Sequence, residues 1–201
     1  METTLKKLKK HNPCKSSWDR LLESLDKTEP DNAPLKLRYI LDLLGAQDAI
    51  WAFRAIDGYR KEQILFIADC AEHVLHIYEE KYPKNTAPRA AILATRNYAN
   101  GKISKEKLRS AAAAAYAASY AVDAVDAAAG YAADAAYAAA ADAVDAAYAA
   151  AAYAADDAAA CAAAGYAADA YAATTAYAAK QKEIEWQKEK LIEYLKIRKE
   201  K

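Results

Sequence analysis

AAAAAYAASYAVDAVDAAAGYAADAAYAAAADAVDAAYAAAAYAADDAAACAAAGYAADAYAATTAYAA, residues 111–179, contains 43 Ala, nine Tyr and eight Asp, with no basic residue and no proline. Alanine has the most favourable intrinsic helix propensity, and only Gly130 and Gly165 weaken the run, so the whole stretch reads as helix. That reading fixes the expected fold class as all-α. AAAGYAADA occurs at 127–135 and again at 162–170, and DAVDAA at 123–128 and 142–147. Asp123, Asp134, Asp145 and Asp156 recur every 11 residues, with Tyr120, Tyr131, Asp142 and Tyr153 three residues before them. An 11-residue repeat is three turns of about 3.67 residues each, which keeps these side chains along one face.

A single helix of roughly 90 residues would extend about 135 Å, far beyond what a small protein can cover. The Ala-rich half must therefore fold back or self-associate, and breaks at Gly130 and Gly165 would give two or three long antiparallel helices. Alanine faces let helices approach closely, leaving wide-spaced tyrosines to fill the gaps. Tyr131, Tyr137, Tyr148 and Tyr153 then need partners for their hydroxyls, and the aspartates at neighbouring helical positions supply acceptors. The ladder is thus either an internal hydrogen-bonding seam or an exposed acidic binding surface.

Upstream, the chain reads as several short helices punctuated by Pro and Gly. Asn12-Pro13 is expected to cap a helix carrying Trp18, Leu21, Leu22 and Leu25. Pro34 is expected to open a second, stopped at Gly45, and a third holds Ile50, Trp51, Phe53 and Ile56 before Gly58. The longest runs from about Tyr59 to Tyr82, with Ile64, Ile67, Ala71, Val74, Leu75 and Tyr78 on one stripe, and Pro83 ends it. Pro88 starts a fifth, closed by Asn100-Gly101, and Ser104 caps the Ala-rich region. No stretch alternates as a strand would. The expected organisation is a multi-helix region over 1–103 and a long-helix region over 104–201, packed as one unit.

Formal charge sums to zero, with 28 basic and 28 acidic residues, but unevenly. Residues 1–110 carry 20 basic and 15 acidic groups, 111–179 only the eight aspartates, and 180–201 eight basic and five acidic groups. This balance argues against a nucleic-acid binder. Three distant cysteines, Cys14, Cys70 and Cys161, read as reduced thiols of the cytoplasm. METTLKKLKKHNP has the basic residues of an export signal without the apolar run that must follow, and the longest uncharged run, Ser110 to Val122, is too short to span a bilayer.

Two constellations invite chemistry. His11-x-x-Cys14 and Cys70-x-x-His73 offer four zinc-type ligands, with His76 a fifth, but Cys70 lies on an apolar stripe and reads as a core thiol, so no metal is expected. Asp69 and Glu72, with His73 on the same helical face and Arg89 and Arg96 downstream, form a mixed titratable cluster suited to binding. With no Gly-rich phosphate loop, HExxH or GxSxG, the chain is expected to have neither a catalytic site nor a cofactor.

His11-Asn12-Pro13-Cys14, Trp18, the series ADCAEHVLHIYEEKYPKNTAPRAAILATRNYANGKIS at 68–104, the DAAxYAA repeats and a charged helix with Trp186 together resemble the putative immunity proteins of bacterial polymorphic toxin systems, a family also borne by phages. The resemblance covers nearly the whole chain, and the DCAE, KYP, PR and YANG segments are its most specific part. It implies a cytoplasmic, non-catalytic protein that neutralises a toxin by occluding it. Two other roles fit the same residues: a phage counter-defence protein that inhibits a defence effector or sequesters a small signalling molecule, and a self-assembling, homo-oligomeric Ala-rich protein. The expected contact residues are Asp123, Asp134, Asp145, Asp156, Tyr120, Tyr131, Tyr137, Tyr148 and Tyr153, with Asp69, Glu72, Arg89 and Arg96, except that a phosphate-bearing ligand, repelled by the acidic ladder, would use Arg89, Arg96, Lys102 or Arg109.

Overall fold

The computed structural model describes residues 1–120 and 171–196. Within them the fold is all-α, apart from one minimal sheet in which β1 (Glu2–Thr3) pairs antiparallel with β2 (Leu35–Lys36), Glu2 opposite Lys36 and Thr3 opposite Leu35. Expected breaks at Gly130 and Gly165, the antiparallel course of the Ala-rich helices, and Cys161 lie outside the described residues.

The first helix, α1 (Leu5–Lys9), was hidden in a stretch whose lysines dominate the reading, yet it buries Leu5 and Leu8. Thr4 caps it, its side chain accepting from the Lys7 N–H at 3.2 Å. Because α1 occupies this stretch, Asn12 does not cap the next helix as expected. It takes φ 52° in the turn leaving α1, a left-handed conformation that Asn tolerates better than most residues. The next helix, α2 (Lys15–Ser24), starts at a Cys14 cap and buries Trp18 and Leu21.

Pro34 likewise opens an extended segment, β2, before α3 (Leu37–Leu44) begins. Gly45 both ends α3 and begins α4 (Ala46–Phe53), with φ 95° and ψ −178°. A Cβ there would meet no neighbour, so the backbone conformation alone demands glycine. Ile56 lies beyond the end of α4, although it is buried. Side chains supply donors to the carbonyls at and beyond the end of α4: Gln63 Nε2 donates to Phe53 O at 2.7 Å, which also accepts from the Ile56 N–H, and to Ile56 O at 2.9 Å, and Thr3 Oγ1 donates to Ala55 O at 2.7 Å.

The long α5 (Arg60–Lys81) matches its expected bounds, and every residue of the expected stripe is buried. It also buries Phe66, Ala68, Cys70 and Ile77, because it has neighbours on more than one side. Helix α6 (Ala87–Ala99) has its proline in the first turn and ends in a turn where Gly101, at φ 69°, donates to Tyr98 O and Lys102 to Asn97 O. Helix α7 (Lys105–Tyr120) packs on α6 through Ala91, Leu108, Ala112 and Ala115, a small-residue seam that brings the axes close. Finally α8 (Tyr171–Leu195) returns to the first half and packs on α3, α4 and α5. Its Leu191 is fully buried in the main core with Phe53, Phe66 and the α1 to α4 residues. Phe66 bridges two edge-on aromatic contacts, with Phe53 at 6.0 Å and with Tyr194 of α8 at 5.7 Å.

Candidate functional site

The polar residues that sequence grouped around Asp69 do meet, and α8 completes the group. Asp69, Glu72 and His73 project from one face of α5 by their i, i+3, i+4 spacing. Arg96 reaches across from α6 to bind two of them, its guanidinium lying 2.7 Å from Asp69 Oδ1 and also donating to Glu72. From α8, Tyr194 donates its hydroxyl to Asp69 Oδ2 at 2.9 Å, and Lys190 Nζ stands 3.6 Å from the same oxygen. Asp69 therefore ties three helices together.

One turn along, Nδ1 of His73 lies 2.7 Å from Glu183 Oε2 of α8, while Gln187 Nε2 donates to the other carboxylate oxygen at 3.0 Å. Glu183 is only 4% exposed, so these two partners supply hydrogen bonds that water cannot. The His73 ring also stacks on Trp186, with centroids 3.7 Å apart and planes within 4° of parallel. Asp69, Glu72, His73, Arg96, Trp186 and Lys190 line a shallow open groove of about 200 Å³.

The electrostatics follow from this pairing. Burial works against the Arg96 charge, but Asp69 and Glu72 outweigh it and hold the guanidinium above its ordinary range. Burial raises the Tyr194 phenol strongly and the Asp69 carboxylate raises it further, so Tyr194 remains a hydrogen-bond donor at all physiological pH. Lys190 is held above its ordinary range by its hydrogen bond to Glu193 and by Asp69. The arrangement is a set of satisfied charge pairs with exposed outer edges at Glu72 and His73, which suits recognition of a charged surface.

Arg89 does not join the group. It forms a separate two-pronged pair with Glu79, both bonds 2.5 Å, stapling the start of α6 to the end of α5. That hydrogen bonding holds Glu79 below its usual carboxylate range. A carboxylate lowered in the folded state adds stability above its unfolded pKa and loses it as pH falls through the folded value. Stability is thus expected to decline on acidification through the glutamate range, and Glu79→Gln to flatten that part of the curve. Thermal melts of the two proteins over the same pH series check this.

The remaining sequence candidates are dispersed. Cys70 is fully buried in α5, and burial pushes its thiol well up, whereas Cys14 stands exposed at the start of α2. His73 is engaged with Glu183, and His11 lies in the turn after α1. Among the described residues no three His, Cys, Asp or Glu side chains gather where they could hold a metal ion. Tyr120 is the last residue of α7 with its side chain outside the described set, and Asp123, Asp134, Asp145, Asp156, Tyr131, Tyr137, Tyr148 and Tyr153 lie outside the described residues altogether. Glu183, Lys190 and Tyr194 were missed by sequence reasoning, although their i, i+7 and i+11 spacing puts acid, base and phenol near one face of α8.

Residues 57–194 match the family described as Imm-5 like putative immunity protein. The chain belongs to this family. Every residue of the α5/α6/α8 groove falls inside the matched span. No curated protein and no solved structure matches the chain significantly. Among the described residues no helix is long and apolar enough to cross a membrane.

Proposed function

We propose that this Imm-5 like protein neutralises a cognate toxin without catalysis, by occupying the surface the toxin needs. The supporting observation is that the family span contains the whole charged groove, whose groups are already paired with one another and leave edges fit for docking. Glu72 and Arg96 form its contact edge on α5 and α6, Arg89 offers a further contact at the start of α6, and the aspartates of the 111–179 segment are a separate acidic contact for a basic toxin surface. In this reading the protein works in the cytoplasm, in keeping with the free thiols of Cys14 and Cys70.

The test replaces Asp123, Asp134, Asp145 and Asp156 by Asn and measures affinity for the toxin of the same locus beside the melting temperature. The expected result is a loss of about tenfold or more at low salt with the melting temperature unchanged. A large fall in melting temperature without specific loss of affinity would instead make the ladder an internal seam.

A further inference from the structure

A second charged surface lies outside the family span, where α1 turns into α2. Residues 5–17 hold Lys6, Lys7, Lys9, Lys10, His11 and Lys15 and no acidic residue. Lys7 pairs with Asp57 at 2.6 Å, and Lys10 adds its charge to the field that holds the Asp57 carboxylate below its usual range, while Lys6, Lys9 and Lys15 are exposed and form no ion pair among the described residues. Elsewhere some described cations sit on carboxylates, as in Lys27–Asp31, Arg38–Asp42, Arg89–Glu79 and Lys188–Glu185, and others such as Lys84 and Lys102 stand singly in sequence without an ion pair. What sets the corner apart is the run itself, five lysines and a histidine within residues 5–17 against the single Asp57 pair, which leaves its field positive.

An open groove of about 370 Å³ is lined by Asn12 and Cys14, which lie between Lys10 and Lys15 in the chain, and by Ser17, Gln47, Asp48 and Trp51. Lys9 Nζ lies 5.0 Å over the ring of Trp18, which lines a narrower crevice together with Trp51. The corner thus combines a basic rim with a half-buried indole at the groove wall.

We propose that this corner docks an acidic protein segment, its carboxylates meeting Lys6, Lys9, Lys10 and Lys15 and one apolar side chain seating against Trp51. The inference rests on the reading of the chain as a binding protein and gives that protein a contact that the family span lacks. Charge complementarity selects an anion. Charge also selects a short one: Asp48 lies in the groove, so the carboxylates meet the lysines and the apolar side chain enters, and a chain of 28 basic and 28 acidic residues has no net charge to hold a long polyanion such as nucleic acid.

The experiment uses the full chain and a short labelled peptide of Asp and Glu around one central Phe, followed by fluorescence anisotropy. Binding is expected, weakening as salt rises, and reversing Lys6, Lys9, Lys10 and Lys15 to Glu should reduce affinity by about tenfold or more. The same four positions changed to Gln, which removes the charge, keeps a polar side chain and avoids introducing new charge, should show a smaller loss in the same direction. A control reversing Lys84, Lys102, Lys105 and Lys107 alters net charge equally and should retain binding. Equal losses in the two reversed variants, no effect of replacing the peptide Phe by Gly, or tighter binding of a duplex DNA than of the peptide would each overturn the proposal. No toxin is present in this assay, so its failure leaves neutralisation through the α5/α6/α8 face standing, while failed neutralisation by the unaltered chain strikes the immunity reading alone.

Discussion

Leu191→Ala is expected to destabilise the protein by about 2–5 kcal/mol, the range for truncating a fully buried leucine where the site collapses only partly. Leu191 has no exposed surface and is the fully buried residue by which α8 enters the main core. Its neighbours on α8, Ile184, Trp186, Ile192, Tyr194 and Leu195, are only partly buried and cannot replace it. The loss should therefore appear as loosening of α8 together with the polar contacts it carries to Asp69 and His73. Denaturant unfolding followed by Trp fluorescence measures the first effect, and Trp186, stacked on His73, reports the second. Leu191→Met conserves volume and should cost less than about 1.5 kcal/mol. A truncation that costs no more than Met would show that α8 is held elsewhere.

Asp69→Ala is expected to be the most damaging change on the polar side, on the order of 3 kcal/mol. Its carboxylate is 14% exposed and satisfies Arg96, Tyr194 and Lys190 at once. Removing it leaves the Tyr194 hydroxyl without its acceptor and Arg96 with Glu72 alone, and each buried polar group left unpaired costs roughly 1–3 kcal/mol. Asp69→Asn keeps an acceptor for Tyr194 and should cost less. Tyr194→Phe removes the donor while Asp69 keeps Arg96, so it should cost about 1 kcal/mol or less. The order Ala, then Asn, then the Tyr194 change is checked by chemical denaturation, and a reversed order would contradict the three-helix role of Asp69.

What could be read from sequence, and what could not, follows from the range of the interactions. Propensity and period are local, so α5 emerged nearly to the residue and its Asp69/Glu72/His73 face was legible from spacing alone. Proline and asparagine signals were ambiguous because each serves more than one geometry: Asn12 closes α1 instead of capping α2, and Pro34 precedes an extended pair held by only two residues on each side. The partners of the α5 face come from 110 and 125 residues away, at Glu183 and Tyr194. Helical periodicity gives α8 its faces but says nothing of which helix it lands on. His73 shows the same limit: beside Cys70 it suggests a metal ligand, and only the return of α8 gives it a carboxylate and an indole instead.

The central claim is that this Imm-5 like protein acts by stoichiometric occlusion, and a titration tests it most directly. The toxin of the same locus is held at fixed concentration, well above the dissociation constant, and its activity is followed as the chain is added. Occlusion predicts a linear fall that reaches zero at equimolar chain, with activity restored when the complex is dissociated. Loss of toxin activity at a small fraction of equimolar chain, persisting after the two are separated, would show catalytic inactivation and contradict the account, as would full activity at excess chain.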